Sequence, residues 1–322
     1  MRRIILLFLI SVFSIRSQTS GCTDPLSKNY NPKSIQNNGS CIYENIKIKP
    51  KYSKKLSDSV RETSGLIAFD NLFWTHNDDH DKTIYGLDSL GKIRKKIVLE
   101  KAVNHDWEEI SQDSLYVYIG DFGNNFKGNR KDLNILKIEK KSFLEQNPVI
   151  EKISFLYADQ NDFSAQSPNS TDFDCEAFIV SKDSIYLFSK QWKSSKTNIY
   201  VLPNQPGNYI AKFKETLDTK GLVTGAVFFE KKKILALCGY SKTGRSFLYL
   251  LYDFKNNAFL SGNKRKIDLK LPFHQIEGIT TKDGLHYFIT NESLVRKPIL
   301  NTQQQIHYLD LSSLLTEYIN RQ

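Results

Sequence analysis

The stretch Asp106-Trp-Glu-Glu-Ile110 is followed by Leu115-Tyr-Val-Tyr-Ile-Gly-Asp121 and then by Leu133-Asn-Ile-Leu-Lys-Ile138. It reads as a strand opened by acids, a second strand apolar on both faces, and a third strand, because such short runs bounded by Asn, Asp and Gly are strand signals. The pattern starts four more times, at Glu62-Thr-Ser-Gly-Leu66, Asp174-Cys-Glu-Ala-Phe178, Val223-Thr-Gly-Ala-Val227 and Gln275-Ile-Glu-Gly-Ile279. The spacings are 44, 68, 49 and 52 residues, and a polar insertion over residues 159–170 accounts for the long one. Four of the five units add a polar fourth strand, such as Ile93-Arg-Lys-Lys-Ile-Val-Leu99. No run shows sustained helical periodicity.

Four strands at a period near fifty are the signature of a propeller blade. The expected fold is therefore all-β, a β-propeller of five four-stranded blades, with six as the alternative count. A two-sheet sandwich shares the strand and turn statistics but not the internal register. The last unit stops after its third strand, near Leu311, and Ile46-Lys-Ile-Lys-Pro-Lys-Tyr-Ser53 is expected to supply the missing one. This N-terminal strand would close the last blade and remove an open edge.

In such a ring, equivalent positions of the innermost strands converge. The third column of the start motif holds Ser64, Glu108, Glu176, Gly225 and Glu277, and the first holds Glu62, Asp106, Asp174, Val223 and Gln275. The second strands end in Asn77 with Asp78, Asp121, Lys190, Tyr240 and Asn291 with Glu292. Carboxylates crowded together raise one another's pKa unless a cation or shared protons intervene. Oxygen donors suit Ca²⁺ or Mg²⁺ rather than Zn²⁺. The expected metal set is Glu108, Glu176, Glu277, Asn77, Asp121 and Asn291, with Ca²⁺ as the ion; the competing reading is that these acids cap turns and bond backbone amides. For acid–base chemistry the candidates are Glu108, Glu109, His105 and His274. Lys190, Trp192 and Arg130 are candidates for holding an anion beside the metal. Neither a nucleophile elbow nor a phosphate-cradling glycine loop nor a Cys/His zinc pattern is present in the sequence.

Together Glu62-x-Ser-Gly-Leu, Leu72-Phe-Trp-Thr-His-Asn-Asp, Asp106-Trp-Glu-Glu-Ile, Tyr118-Ile-Gly-Asp-Phe-Gly-Asn-Asn and Ile276-Glu-Gly-Ile resemble the secreted propellers grouped as SdiA-regulated or phytase-esterase-like. The resemblance runs from about residue 60 to 310 and implies a propeller with calcium in its channel, carried here by Glu108, Glu176 and Glu277. Gly225 departs from that pattern, so the ion would be held asymmetrically, with one side open.

The N-terminus frames this domain. Arg2-Arg3 followed by an apolar run to Ile15 reads as a secretory signal over residues 1–20, since the run is too short to span a bilayer. Lipidation of Cys22 after cleavage at Gly21 is the rival. Residues 21–43 are turn-rich and carry Cys22 and Cys41, which an oxidising compartment would join. This segment resembles the GCTDP…NYNP…GSC element of secreted Bacteroidetes proteins, with Asn37 and Asn38 replacing its usual acids. The remaining residues, 44–322, form the propeller domain, and Cys175 and Cys238 are a possible second pair.

The 322 residues carry 45 Lys+Arg against 35 Asp+Glu, a formal +10, and losing Arg2, Arg3 and Arg16 with the signal leaves +7. Much of the surplus falls in Lys47-Ile-Lys-Pro-Lys, Arg94-Lys-Lys, Lys231-Lys-Lys and Lys264-Arg-Lys, on expected rim strands and turns, where lysine blocks edge pairing. A nucleic-acid partner is excluded on this reading. The expectation is a monomer without a transmembrane segment, secreted, periplasmic or at the cell surface. Its expected role is to bind a small anionic ligand, a glycan or a surface protein, the alternative being a metal-dependent esterase, lactonase or phosphoesterase.

Overall fold

The structure is a computed structural model that describes residues 19–78 and 80–321. Residues 1–18 of the expected signal peptide lie outside the described residues. The described chain is mostly strand and forms antiparallel four-stranded units in sequence order. Their inner strands are Thr63–Phe69, Trp107–Gln112, Asp174–Ser181, Leu222–Phe229 and Ile276–Thr281. Each inner strand packs on the next and the last packs on the first, so the inner strands form a closed ring.

Burial decides which strand goes where. The inner strand Asp174–Ser181 and the second strand Ile234–Tyr240 are buried along their whole lengths. The outer strand Ile93–Val98 exposes Arg94, Lys95 and Lys96. Neighbouring units interlock through aromatic rings at their interfaces. Trp74 meets Phe143 edge-on at 5.0 Å and Phe122 meets Phe178 edge-on at 5.6 Å. Each such fully buried ring contributes about 1.5–3 kcal/mol by burial alone.

Closure differs in detail from the expected strand. Tyr52–Lys55 pairs antiparallel with Gln305–Asp310 and completes the last unit. Ile46–Ile48, the front of the expected segment, instead pairs parallel with Asn263–Pro272 of the preceding unit. Pro50, which cannot donate to a ladder, separates the two short strands. A second parallel pairing, Ile150–Tyr157 with Gly207–Leu217, fuses the second and third units into one eight-stranded sheet.

Two features lay outside the strand pattern. The chain ends in a helix, Ser312–Arg321, whose Leu315 and Tyr318 are buried. The Tyr318 hydroxyl donates to Lys232 O at 2.9 Å and accepts from Asp253 N at 3.1 Å. The N-terminal segment docks beside it. Cys22 and Cys41 form a disulfide, while Cys175 and Cys238 are separate buried thiols. Asn37 Nδ2 donates to Asp253 Oδ2 at 2.7 Å and to Asn263 Oδ1 at 2.9 Å. An aspartate at position 37 would set two carboxylates against each other there, which accounts for the amide in place of the usual acid. No helix among the described residues is long and apolar enough to cross a membrane.

Candidate metal centre at the hub

The ring brings its acids together through β-bulges. In the second unit Trp107 faces Asp121 and Glu109 faces Gly120, which leaves Glu108 as the extra residue. The same slip isolates Glu176 between Cys175 and Ala177, and Glu277 between Ile276 and Gly278. A bulge re-aims the side chain it carries. Here it directs three glutamates into one pocket of about 190 Å³ at the centre of the ring.

The fourth unit obeys the same rule one residue earlier than the third column of its start motif. Its bulge falls on Thr224, between Val223 and Gly225, so Thr224 rather than Gly225 is the equivalent of Glu108. Thr224 Oγ1 donates to Ile276 O, and Ser64 Oγ donates to Glu108 O. Where the column holds a hydroxyl, it staples one inner strand to the next. Gly225 does not mark an open side: a Cβ there would lie 2.8 Å from both Cys238 Sγ and Glu277 O.

One oxygen each from Glu108, Asp174 and Glu176 lie within 4.8 Å of one another. Asp174 is held by Asn124 N at 2.7 Å and by Trp192 Nε1 at 2.7 Å. Glu176 Oε2 accepts from Lys190 Nζ at 2.9 Å, and Glu176 Oε1 is buried with no hydrogen-bond partner. Glu277 Oε2 is likewise buried and unpartnered. The Lys190 ammonium lies over the rings of Trp192, at 4.8 Å, and Tyr240, at 5.5 Å. Gly123 makes room for the acids, since a Cβ there would stand 2.3 Å from both Asp106 Oδ2 and Glu108 Oε1.

The electrostatics follow from this crowding. Burial, then the neighbouring Glu176, Asp106 and Asp174, holds the Glu108 carboxyl well above its usual range. Burial and then Asp174 push Asp106 up to about 6. Burial, reinforced by Glu62 and opposed by Lys190, pushes Glu292 up to about 7. Lys190 is driven the other way from what its burial alone would do, held charged chiefly by Glu176. The pocket therefore holds more carboxylate than its one lysine neutralises. An oxygen-seeking cation fits that donor set, and Glu108, Asp174 and Glu176 are the residues that would hold it.

The other residues named from sequence lie elsewhere. Asn77 spends its amide on Ser59 O and Asp81 Oδ2, both at 2.9 Å, and Asn291 Oδ1 accepts from His307 Nε2 at 2.8 Å. Asp121 pairs with Arg130 at 3.0 Å and with His105 Nδ1 at 2.9 Å. His105 and His274 line two other pockets, and His274 Nδ1 bonds Pro272 O at 2.8 Å. Glu109 is fully buried; its Oε1 accepts from Ile110 N at 2.9 Å and its Oε2 from Ala226 N at 2.8 Å, tying the second inner strand to the fourth. Asp174, assigned to the first column, joins Glu108 and Glu176 as the third donor. Asn125 and Asn169 also line the pocket, and sequence reasoning missed both. The insertion brings Asn169 there, its N–H donating to Asn125 O at 2.8 Å.

No protein-family model matches the chain, and no curated protein matches it in sequence. The family resemblance therefore rests on its motifs alone. Among solved structures the chain is similar to a streptogramin B lyase, at 10% identity and TM-score 0.40 over 80% of this chain and 98% of that one. It is also similar to regucalcin, a calcium-binding protein from Agrobacterium tumefaciens, at 11% identity and TM-score 0.41 over 83% and 97%. A third is virginiamycin B lyase from Staphylococcus aureus, at 13% identity and TM-score 0.36 over 78% and 72%. Likenesses at this level carry nothing about activity.

Proposed function

We propose that the chain is a secreted five-bladed β-propeller that holds Ca²⁺ at its hub and acts as an extracellular or cell-surface binding module. In this reading residues 1–20 are a signal peptide, residues 21–43 a disulfide-bracketed module, and residues 44–322 the propeller, closed by Tyr52–Lys55. The observation that carries it is the hub triad: three buried carboxylates with oxygens within 4.8 Å, one of them presenting an unpartnered Oε1. Buried acids without a partner stay protonated, and a coordinated cation lets them ionise. Lys190 supplies one positive charge, whereas Glu108, Glu176, Glu277 and Glu292 all line the same pocket. The test is thermal melting of the purified protein in excess Ca²⁺ and in chelator. A higher melting temperature is expected with Ca²⁺, and equal values would rule out the ion.

One observation favours the hydrolase reading as second. Glu292 lines the pocket, and burial pushes its carboxyl up to about 7, the range in which a general acid is most effective at neutral pH. On that reading Glu292 replaces His105, His274 and Glu109 as the proton carrier beside Glu108. Turnover in an esterase, lactonase and phosphoesterase screen that Glu292→Gln abolishes without loss of Ca²⁺ binding would establish it. Absence of turnover on every substrate would leave the binding module.

A further inference from the structure

We infer that Lys190 is a tethered cation that competes with the metal for the hub, resting on Glu176 in the cation-free protein and moving to Glu277 when a divalent ion enters. The inference deepens the cation-binding reading above and rests on it. Lys190 is the one Lys or Arg among the residues lining the pocket, and its ammonium is 2.9 Å from Glu176 Oε2. That carboxylate is also a member of the triad, so ammonium and metal claim the same ligand. Two positive charges at one buried carboxylate repel strongly.

The structure also provides a second berth. Glu277 lines the same pocket, is buried, and keeps Oε2 without a hydrogen-bond partner. The Trp192 and Tyr240 rings lie under the ammonium at 4.8 and 5.5 Å and offer it a favourable surface within the pocket. An exposed lysine could swing into water and leave the metal unopposed. This side chain is about 5% exposed, so its ammonium can only exchange one buried partner for another within the pocket. Lys190 thus weakens the site for the metal, and Glu277 moderates that penalty by accepting the displaced charge.

The test is isothermal titration of CaCl₂ into the chelator-stripped mature chain, as wild type, Lys190→Met, Glu277→Gln and the double variant. Lys190→Met is expected to tighten Ca²⁺ binding about tenfold or more, the scale of coupling between groups in contact. Glu277→Gln is expected to weaken binding several-fold in the wild type and distinctly less in the Lys190→Met background. Unchanged or weaker binding by Lys190→Met would overturn the inference, as would effects of the two substitutions that simply multiply. Lys190→Gln carries the same expectation if the methionine variant fails to fold. If wild type, Lys190→Met and Lys190→Gln all fail to bind Ca²⁺, the cation reading itself falls. Binding by the Lys190 variants alone would remove the native Ca²⁺ site yet support the competition.

Discussion

The N-terminal module and the hub both bury carboxylates, and they treat them in opposite ways. At the N-terminal module, Asp24 Oδ1 accepts from Leu26 N at 2.9 Å, while Oδ2 accepts from the Tyr252 hydroxyl at 2.6 Å and the Tyr43 hydroxyl at 2.8 Å. Burial pushes both phenols upward, so they remain neutral donors. At the hub, Glu176 Oε1 and Glu277 Oε2 receive no hydrogen bond, and the acids raise one another's pKa. Burial alone therefore does not mark a site. The supply of donors to each oxygen does, and by that measure Glu109, with both oxygens occupied, belongs with Asp24 rather than with its neighbour Glu108.

If the distinction holds, removing a well-supplied acid must cost far more than removing a poorly supplied one. The largest effect is expected at Asp24→Ala, which takes the shared acceptor from the Tyr43 and Tyr252 hydroxyls and leaves them only each other at 3.1 Å, and should cost about 3 kcal/mol in denaturant unfolding. A loss under about 1 kcal/mol would mean that the module docks by other means.

The next effect is a pH dependence of the cation-free protein. Asp106 and Glu292 titrate at about 6 and about 7 in the fold, above their unfolded values. The folded state then binds more protons, so the stability from these groups is full below about pH 4 and is lost as pH rises to about 7. Melting in chelator should fall between pH 5 and pH 7.5, and Ca²⁺ should flatten the fall by favouring the ionised acids. A rise with pH in chelator would contradict the charge crowding.

Asn37→Asp tests the comparison from the satisfied side, because it turns a donor to Asp253 into a second acid. The expected cost is about 1–2 kcal/mol, restored in part by Asp253→Asn. Smallest of all, and of opposite sign, is Glu108→Gln. By relieving repulsion it should stabilise the chelated protein by about 1 kcal/mol while weakening Ca²⁺ binding at least tenfold. Destabilisation without any change in metal binding would place Glu108 among the structural acids.

Much of this was legible in the sequence, for definite reasons. The repeat survives because each unit buries its inner and second strands in the same way, so Glu108, Glu176, Glu277, Lys190 and Glu292 could be placed together from register alone. Position 224 could not, because a one-residue slip in a bulge leaves no trace in the apolar pattern, and Val223-Thr-Gly aligned as well as Leu222-Val-Thr. The structural roles of Asn77, Asp121 and Asn291 were hidden for another reason. Polar residues at strand ends look alike whether they face the hub or bond nearby groups such as Ser59 O, Arg130 and His307. The terminal helix is only ten residues long and buries just Leu315 and Tyr318, too few apolar positions to show a period.

Whether Glu108, Asp174 and Glu176 hold a divalent cation can be read from terbium luminescence. Trp192 donates to Asp174 at 2.7 Å, so a Tb³⁺ ion in the triad would lie beside an indole able to sensitise it. Green emission is expected on excitation through tryptophan, displaced by Ca²⁺, absent in Glu108→Gln and strongly reduced in Trp192→Phe. Emission that persists unchanged in Glu108→Gln, or none in the wild type, would contradict a cation held by the triad.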